Sequence, residues 1–255
     1  MLYMAKTLKG YKLNGADGEI GRVREFCFDA PHWTIRYLLA DTGTWLAERQ
    51  ILISPYALLS IFKEEQQINI SLTKWRIENS PSLHRDKPVS RQFEQAYHEY
   101  YDWPAYWDGP HQWGSYPYIV PDRNKWKIPC QEERAQDHHV RGAQTVRDYH
   151  VHATDGEIGR VEDFVIDCET WAIRYVLVNT HNFLPGRKVL VSPQWIKRVS
   201  WGASKIFINL SREACCLLSQ STGFFRDQNT QRSYYCPRLR DGTTAIIYSQ
   251  GLVAQ

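Results

Sequence analysis

No run of about eighteen apolar residues occurs in this 255-residue chain, so no part of it is expected to cross a bilayer as a helix. Met1 to Lys12 carries lysines but lacks the apolar centre and small-residue cleavage site of a secretory signal, and a cytoplasmic protein is the expectation. A long basic block is missing too. The net charge is +3, with Lys and Arg spread along the chain, too little to predict a nucleic-acid-coating surface. Nor is there a phosphate-binding P-loop, a dinucleotide glycine fingerprint, a serine nucleophile elbow or a paired CxxC, so no cofactor is expected.

Cysteine is present but unorganised. Among the six, Cys27 aligns with Val165 and Cys168 with Ala30 in the repeat described next, Cys130 and Cys236 stand alone, and Cys215-Cys216 are adjacent, where a disulfide is strained. Reduced thiols in a reducing compartment are therefore expected.

What the chain does have is a repeat. Asp17-Gly18-Glu19-Ile20-Gly21-Arg22-Val23 returns as Asp155-Gly156-Glu157-Ile158-Gly159-Arg160-Val161, an offset of 138. The register continues without a gap: Phe26 with Phe164, Asp29 with Asp167, Trp33 with Trp171, Ile35-Arg36-Tyr37 with Ile173-Arg174-Tyr175, Ser54-Pro55 with Ser192-Pro193, and Ile68, Ile70, Leu72 with Ile206, Ile208, Leu210. Two copies at so long a period imply tandem domains, not a solenoid, and the chain length has room for two.

Each copy reads as short strands. An opening strand over 8–14, matched by 146–152, leads into a hairpin turn at Asp17-Gly18 and Asp155-Gly156. Ile20, Val23, Phe26 and Phe28 then step by three, three and two, which predicts a bulge at Gly21 and Gly159 that lets a small sheet curl. Trp33 to Asp41 is apolar enough for a central strand, and Gln50 to Ser54 and Lys188 to Ser192 are stopped by Pro55 and Pro193. Two more strands close each copy, near 58–63 and 67–72, and near 196–201 and 205–210. About six strands with so many edges to hide predict a small β-barrel.

These residues resemble the PRC-barrel domain family, found in the H subunit of bacterial photosynthetic reaction centres and in the C-terminal domain of the ribosome maturation factor RimM. The likeness rests on Asp-Gly-Glu-Ile-Gly-Arg-Val, the Phe and Asp that follow, the Trp-x-Ile-Arg-Tyr strand and the apolar-Ser-Pro stop. Its structural signature here is Asp17, Gly18, Gly21, Trp33, Arg36 and Pro55, with Asp155, Gly156, Gly159, Trp171, Arg174 and Pro193. It implies a mainly β chain of two six-stranded barrels, over 6–80 and 144–214, with a connector over 81–143 and an extension over 215–255. It also implies a non-enzymatic docking or assembly adaptor, with a protein partner or self-association. An RNA- or ribosome-associated factor is the alternative, with Arg187, Lys188, Lys197, Arg198 and Lys205 as its basic patch, and a metal- or thiol-dependent enzyme is a third reading.

The connector holds the second informative stretch. Thr73 to Asn79 and the segment opening at Ser90 read as short helices, and nine aromatic residues crowd Tyr97 to Tyr118 among prolines and glycines. Internal packing against a barrel is one reading of this tract. Partner binding through Tyr100, Tyr101, Trp103, Tyr106, Trp107, Trp113 and Tyr116 is the other.

Chemistry is less well signalled. Adjacent His138 and His139 diverge, whereas His150 and His152 share one face of a strand; their repeat partners Lys12 and Asn14 cannot be a matching ligand pair, and surface histidines are expected. The repeated acids Asp17, Glu19 and Asp29, with Asp155, Glu157 and Asp167, are expected to form turns and ion pairs with Arg22 or Arg36 and with Arg160 or Arg174. No catalytic residue or metal site is expected.

Overall fold

Gly18 and Gly156 take φ of +126° and +146°, the positive values a tight hairpin demands, and each begins a twelve-residue strand. In the computed structural model, which describes residues 1–43, 45–46, 49–84, 89–107, 140–180, 188–215, 224–226 and 233–235, the chain forms two units. The second unit takes its described residues from Met1–Lys9, Gly142–Cys168 and the chain from Ala172 onward; the first takes its own from Gly10–Arg141 and Glu169–Trp171.

In chain order the elements are β1 (Leu2–Met4), α1 (Ala5–Leu8), β2 (Lys12–Gly15), β3 (Gly18–Asp29), β4 (Thr34–Asp41), β5 (Arg49–Ile53), β6 (Leu58–Phe62), β7 (Gln67–Ile70), α2 (Lys74–Glu78), β8 (Leu83–His84) and α3 (Arg91–Tyr101). After residues 108–139 come β9 (Val140–Gly142), α4 (Ala143–Val146), β10 (His150–Ala153), β11 (Gly156–Asp167), β12 (Ile173–Asn179), β13 (Lys188–Val191), β14 (Ile196–Ser200), β15 (Lys205–Ile208), β16 (Phe224–Arg226) and β17 (Ser233–Tyr235). The described chain is mainly β with few helices. None of those helices is long and apolar enough to cross a membrane.

Each unit is one mixed sheet. The first runs β6-β7-β2-β3-β4-β5-β8, with β9 also on β3; the second runs β14-β15-β10-β11-β12-β13-β17-β16, with β1 also on β11. The β2–β7 and β10–β15 pairs are parallel. Among the described residues neither path returns to its first strand. The six strands expected for each copy are present in the same order, and further short strands extend both sheets. Residues 8–14 depart from the expected strand. Ala5–Leu8 is a helical turn whose Leu8 is buried, and pairing starts only at Lys12.

The steps of three in the apolar pattern are bulges. Ile20 is the extra residue between the Leu13↔Gly21 and Asn14↔Glu19 pairs, as Ile158 is between Val151↔Gly159 and His152↔Glu157. Arg24 and Glu162 are extra against β4 and β12. Bending so sharply brings chains too close for a Cβ. One added to Gly21 would lie 2.1 Å from the carbonyl oxygen of Asp41, and at Gly159 2.0 Å from that of Asn179. Inside the bend lie Leu13, Ile20, Val23, Phe26, Phe28, Ile35 and Ile68 in the first unit, and Val151, Ile158, Val161, Phe164, Ile166, Ile173 and Ile206 in the second, all buried.

Candidate protein-binding surfaces

A bulge also explains the repeated Asp and Arg. Arg36 is the extra residue between Cys27↔Tyr37 and Phe28↔Ile35, as Arg174 is between Val165↔Tyr175 and Ile166↔Ile173. Each guanidinium donates back to the aspartate ending the preceding strand, Arg36 Nη2 to Asp29 at 2.9 Å and Arg174 Nε to Asp167 at 3.1 Å. Trp33 and Trp171, in the turns between, hold positive φ of 52° and 57°. Trp33 stacks on Phe28 at 5.2 Å, and the Trp171 carbonyl accepts from the Ile35 amide at 2.8 Å. Asp17 and Asp155 accept the amides of Lys74 and Arg212, and Pro55 and Pro193 each open a 3-10 turn. The aspartates, arginines and prolines act alike in the two copies.

In the first unit the connector covers the Asp–Arg pair. Ser90 caps α3 by accepting from the Phe93 amide, and Asp102 ends it in the left-handed conformation. The buried face of α3 carries Glu94, Tyr97, His98 and Tyr101. Tyr97 donates to the Leu52 carbonyl of β5 at 2.5 Å, and Tyr37 of β4 donates to Glu94 at 2.9 Å. Past the helix, Tyr106 returns to donate to the same carboxylate at 2.5 Å and lays its ring over the Arg36 guanidinium, 3.9 Å away.

Glu94 is 0% exposed. Its charge is met by those two phenols and by Arg91 at 3.1 Å. Burial, aided by the Glu94 charge, drives the Tyr37 and Tyr106 phenols well up, so both stay protonated. Burial lowers His98, whose Nδ1 faces the Pro104 carbonyl at 3.1 Å and so carries the proton. The single Tyr37 hydroxyl proton therefore sits between two acceptors, Glu94 and Nε2 of neutral His98 at 3.0 Å. At Asp29, burial alone would raise the carboxyl; the hydrogen bond from His32 and the charges of Arg36 and His32 outweigh it and bring it down to about 2. The network fixes the connector to the sheet by holding protons in place.

The aromatic candidates divide accordingly. Tyr101 and Tyr106 are buried; Tyr100, Trp103 and Trp107 are half-buried at the rim, with Trp103 stacked on Tyr101 at 4.3 Å and Trp107 under Arg91 at 4.4 Å. Trp113 and Tyr116 lie outside the described residues. Of the histidines, His150 pairs with Glu157 at 2.7 Å, which lowers that carboxyl, and His152 stacks on Phe207. Among the described residues no three His, Cys, Asp or Glu side chains gather in a way that could hold a metal ion. Burial pushes the Cys27 thiol far up, which leaves little thiolate.

Apart from the terminal Met1, the most exposed large apolar groups among the described residues lie elsewhere in the first unit. Leu59, 67% exposed, and Phe62, 43%, stand on β6, the end strand of its sheet, and Trp75, 69%, stands on α2. β6 pairs with β7 on one side, and among the described residues no strand pairs with its other side. The second unit treats the same edge differently. At the repeat offset, Leu59, Ser60 and Phe62 become Lys197, Arg198 and Ser200 on β14, and the two cations are exposed. Charge on an edge strand blocks further pairing; β6 lacks that protection. Setting the two copies side by side in the sequence would have exposed this difference, because the repeat fixes which residues correspond.

Residues 140–214 match the model of the PRC-barrel domain, so the second copy of the repeat is a PRC-barrel domain. No curated protein matches the chain.

Proposed function

We propose that this chain is a tandem PRC-barrel adaptor of the bacterial cytoplasm, each copy a six-stranded barrel, and that it acts by binding a protein partner and not by catalysis. The observation that carries the reading is the edge of β6, which offers backbone donors and acceptors beside Leu59 and Phe62 where its counterpart carries Lys197 and Arg198. An extended partner segment adding to this edge gains main-chain hydrogen bonds, and its alternate apolar side chains meet Leu59 and Phe62. The half-buried rim of Tyr100, Trp103 and Trp107 is a second contact surface of the same unit.

The test is affinity capture from the native lysate, with and without nuclease and at low and high salt, using the wild-type chain and a Leu59→Lys, Phe62→Lys variant. A protein partner that survives nuclease and salt but is lost with the variant is the expected result. Partners that vanish with nuclease or salt and are retained by the variant would replace this reading with the RNA-associated one, for which exposed Lys197 and Arg198 on β14 are the contact.

A further inference from the structure

Each copy of the repeat is preceded by a short strand, and these two strands change places. β1 precedes the first copy yet pairs with β11 of the second, in the register Leu2↔Asp167, Tyr3↔Ile166, Met4↔Val165. β9, which stands at the repeat offset from β1, pairs with β3 of the first copy.

The seat that β1 and α1 occupy on the second unit is a built one. Met4 is fully buried among Val165, Tyr175, Leu177 and Leu190, with Leu2 beside them. The Lys6 amide faces both carboxylate oxygens of Asp163 at 3.3 Å, and its ammonium meets Glu162 at 3.3 Å. The seated segment ends at Lys9, where the chain passes from the second unit to the first. Gly10 makes that passage with φ of +86°, its amide donating to the Val23 carbonyl at 2.7 Å and its carbonyl accepting from Arg22 at 3.2 Å. At the same place in the other copy Asp148 also holds a positive φ, 64°.

We propose that Gly10 is a hinge that lets Leu2–Leu8 leave its own chain and seat on β11 of a second copy, so that two chains associate by exchanging their opening segments. Donor and seat are the same in both arrangements, and only the hinge conformation and its two hydrogen bonds differ. A short tether gives the segment an effective concentration in the millimolar range, so the tethered form prevails in dilute solution. Exchange is favoured when the hinge is strained or the protein is concentrated.

This inference does not depend on the adaptor reading, and its test leaves β6 untouched. A side chain at residue 10 would meet nothing within 4 Å, so a substitution there acts through the backbone alone. Gly10→Val disfavours the positive φ and is expected to raise the dimer fraction about tenfold by light scattering, whereas Gly10→Asn, which tolerates that conformation, matches the wild type. Deleting residues 1–9 from the Gly10→Val chain, which removes the exchanged segment itself, returns it to monomer. A folded Gly10→Val chain that stays monomeric overturns the proposal, as does a dimer that survives the deletion. Should Gly10→Val fail to fold, the wild type refolded from denaturant at about 1 mM and about 1 μM decides. Dimer at the higher concentration, lost when residues 1–9 are deleted, supports exchange; monomer at both, or a dimer that survives the deletion, rejects it.

Discussion

Replacing Gly21 or Gly159 by alanine puts a Cβ near 2 Å from a backbone oxygen, of Asp41 or of Asn179, that no side-chain rotation can move. Each change is expected to cost about 3 kcal/mol or more in denaturant unfolding. Gly18→Ala, where a Cβ meets nothing, loses only the price of its backbone conformation, about 1 kcal/mol. The Asp29 carboxyl makes a pH prediction. Its folded pKa of about 2 lies below the ordinary 3.8, so it contributes stability above pH 4 that is lost as the pH falls from about 4 to about 2, roughly 2 kcal/mol in all. An Asp29→Asn chain should show a flatter acid limb over that window in pH-dependent unfolding; an unchanged limb would place the charge effect elsewhere. These roles were legible in the sequence, because Gly21, Asp29 and Arg36 each do the same job as their partner 138 residues on. Glu94 and His98 were not. Nothing in their own spacing says that Tyr37, distant in sequence, will meet them under a folded-back connector.

Among the elements, α3 and the strands announced themselves and α1 did not. Ser90 stands where an N-cap belongs and the steps of three marked the bulges, but four residues such as Ala5–Leu8 carry too little periodicity to be read as helix. Their packing comes from Met4 and Leu8, which are buried in the second unit, and from Lys6 beside Asp163. Burial raises the Asp163 carboxyl to about 6 despite the Lys6 and Phe164 amides. Because the folded pKa lies above the unfolded one, its ionisation opposes folding, and stability is expected to decline as the pH rises from about 4 to about 6. Asp163→Asn should remove that decline in urea titrations across the same window, and its persistence would contradict the assignment. The β6 edge stands apart from all of this. Leu59 and Phe62 are exposed, so Leu59→Lys with Phe62→Lys should change unfolding stability by less than about 0.5 kcal/mol per site while removing partner capture.

Across the whole molecule, the repeat made two copies visible but not where the short strand ahead of each copy goes. Strand partners so distant in sequence leave no local pattern, and the offset pairs β1 with β9 by alignment while the fold places them on β11 and β3. A chain lacking residues 1–9 should therefore lose stability in the second unit, read as faster amide hydrogen exchange at Val165–Asp167, although the paired strand Leu2–Met4 precedes the first copy. Equal exchange with and without the segment would count against its place in that sheet. The adaptor reading itself meets its most direct test in hydrogen exchange of β6, measured in the free chain and in the captured complex. The amides of Leu58–Phe62 are expected to become protected on binding while those of Ile196–Ser200 on β14 do not change. Protection confined to β14, or to any surface other than β6, would contradict it.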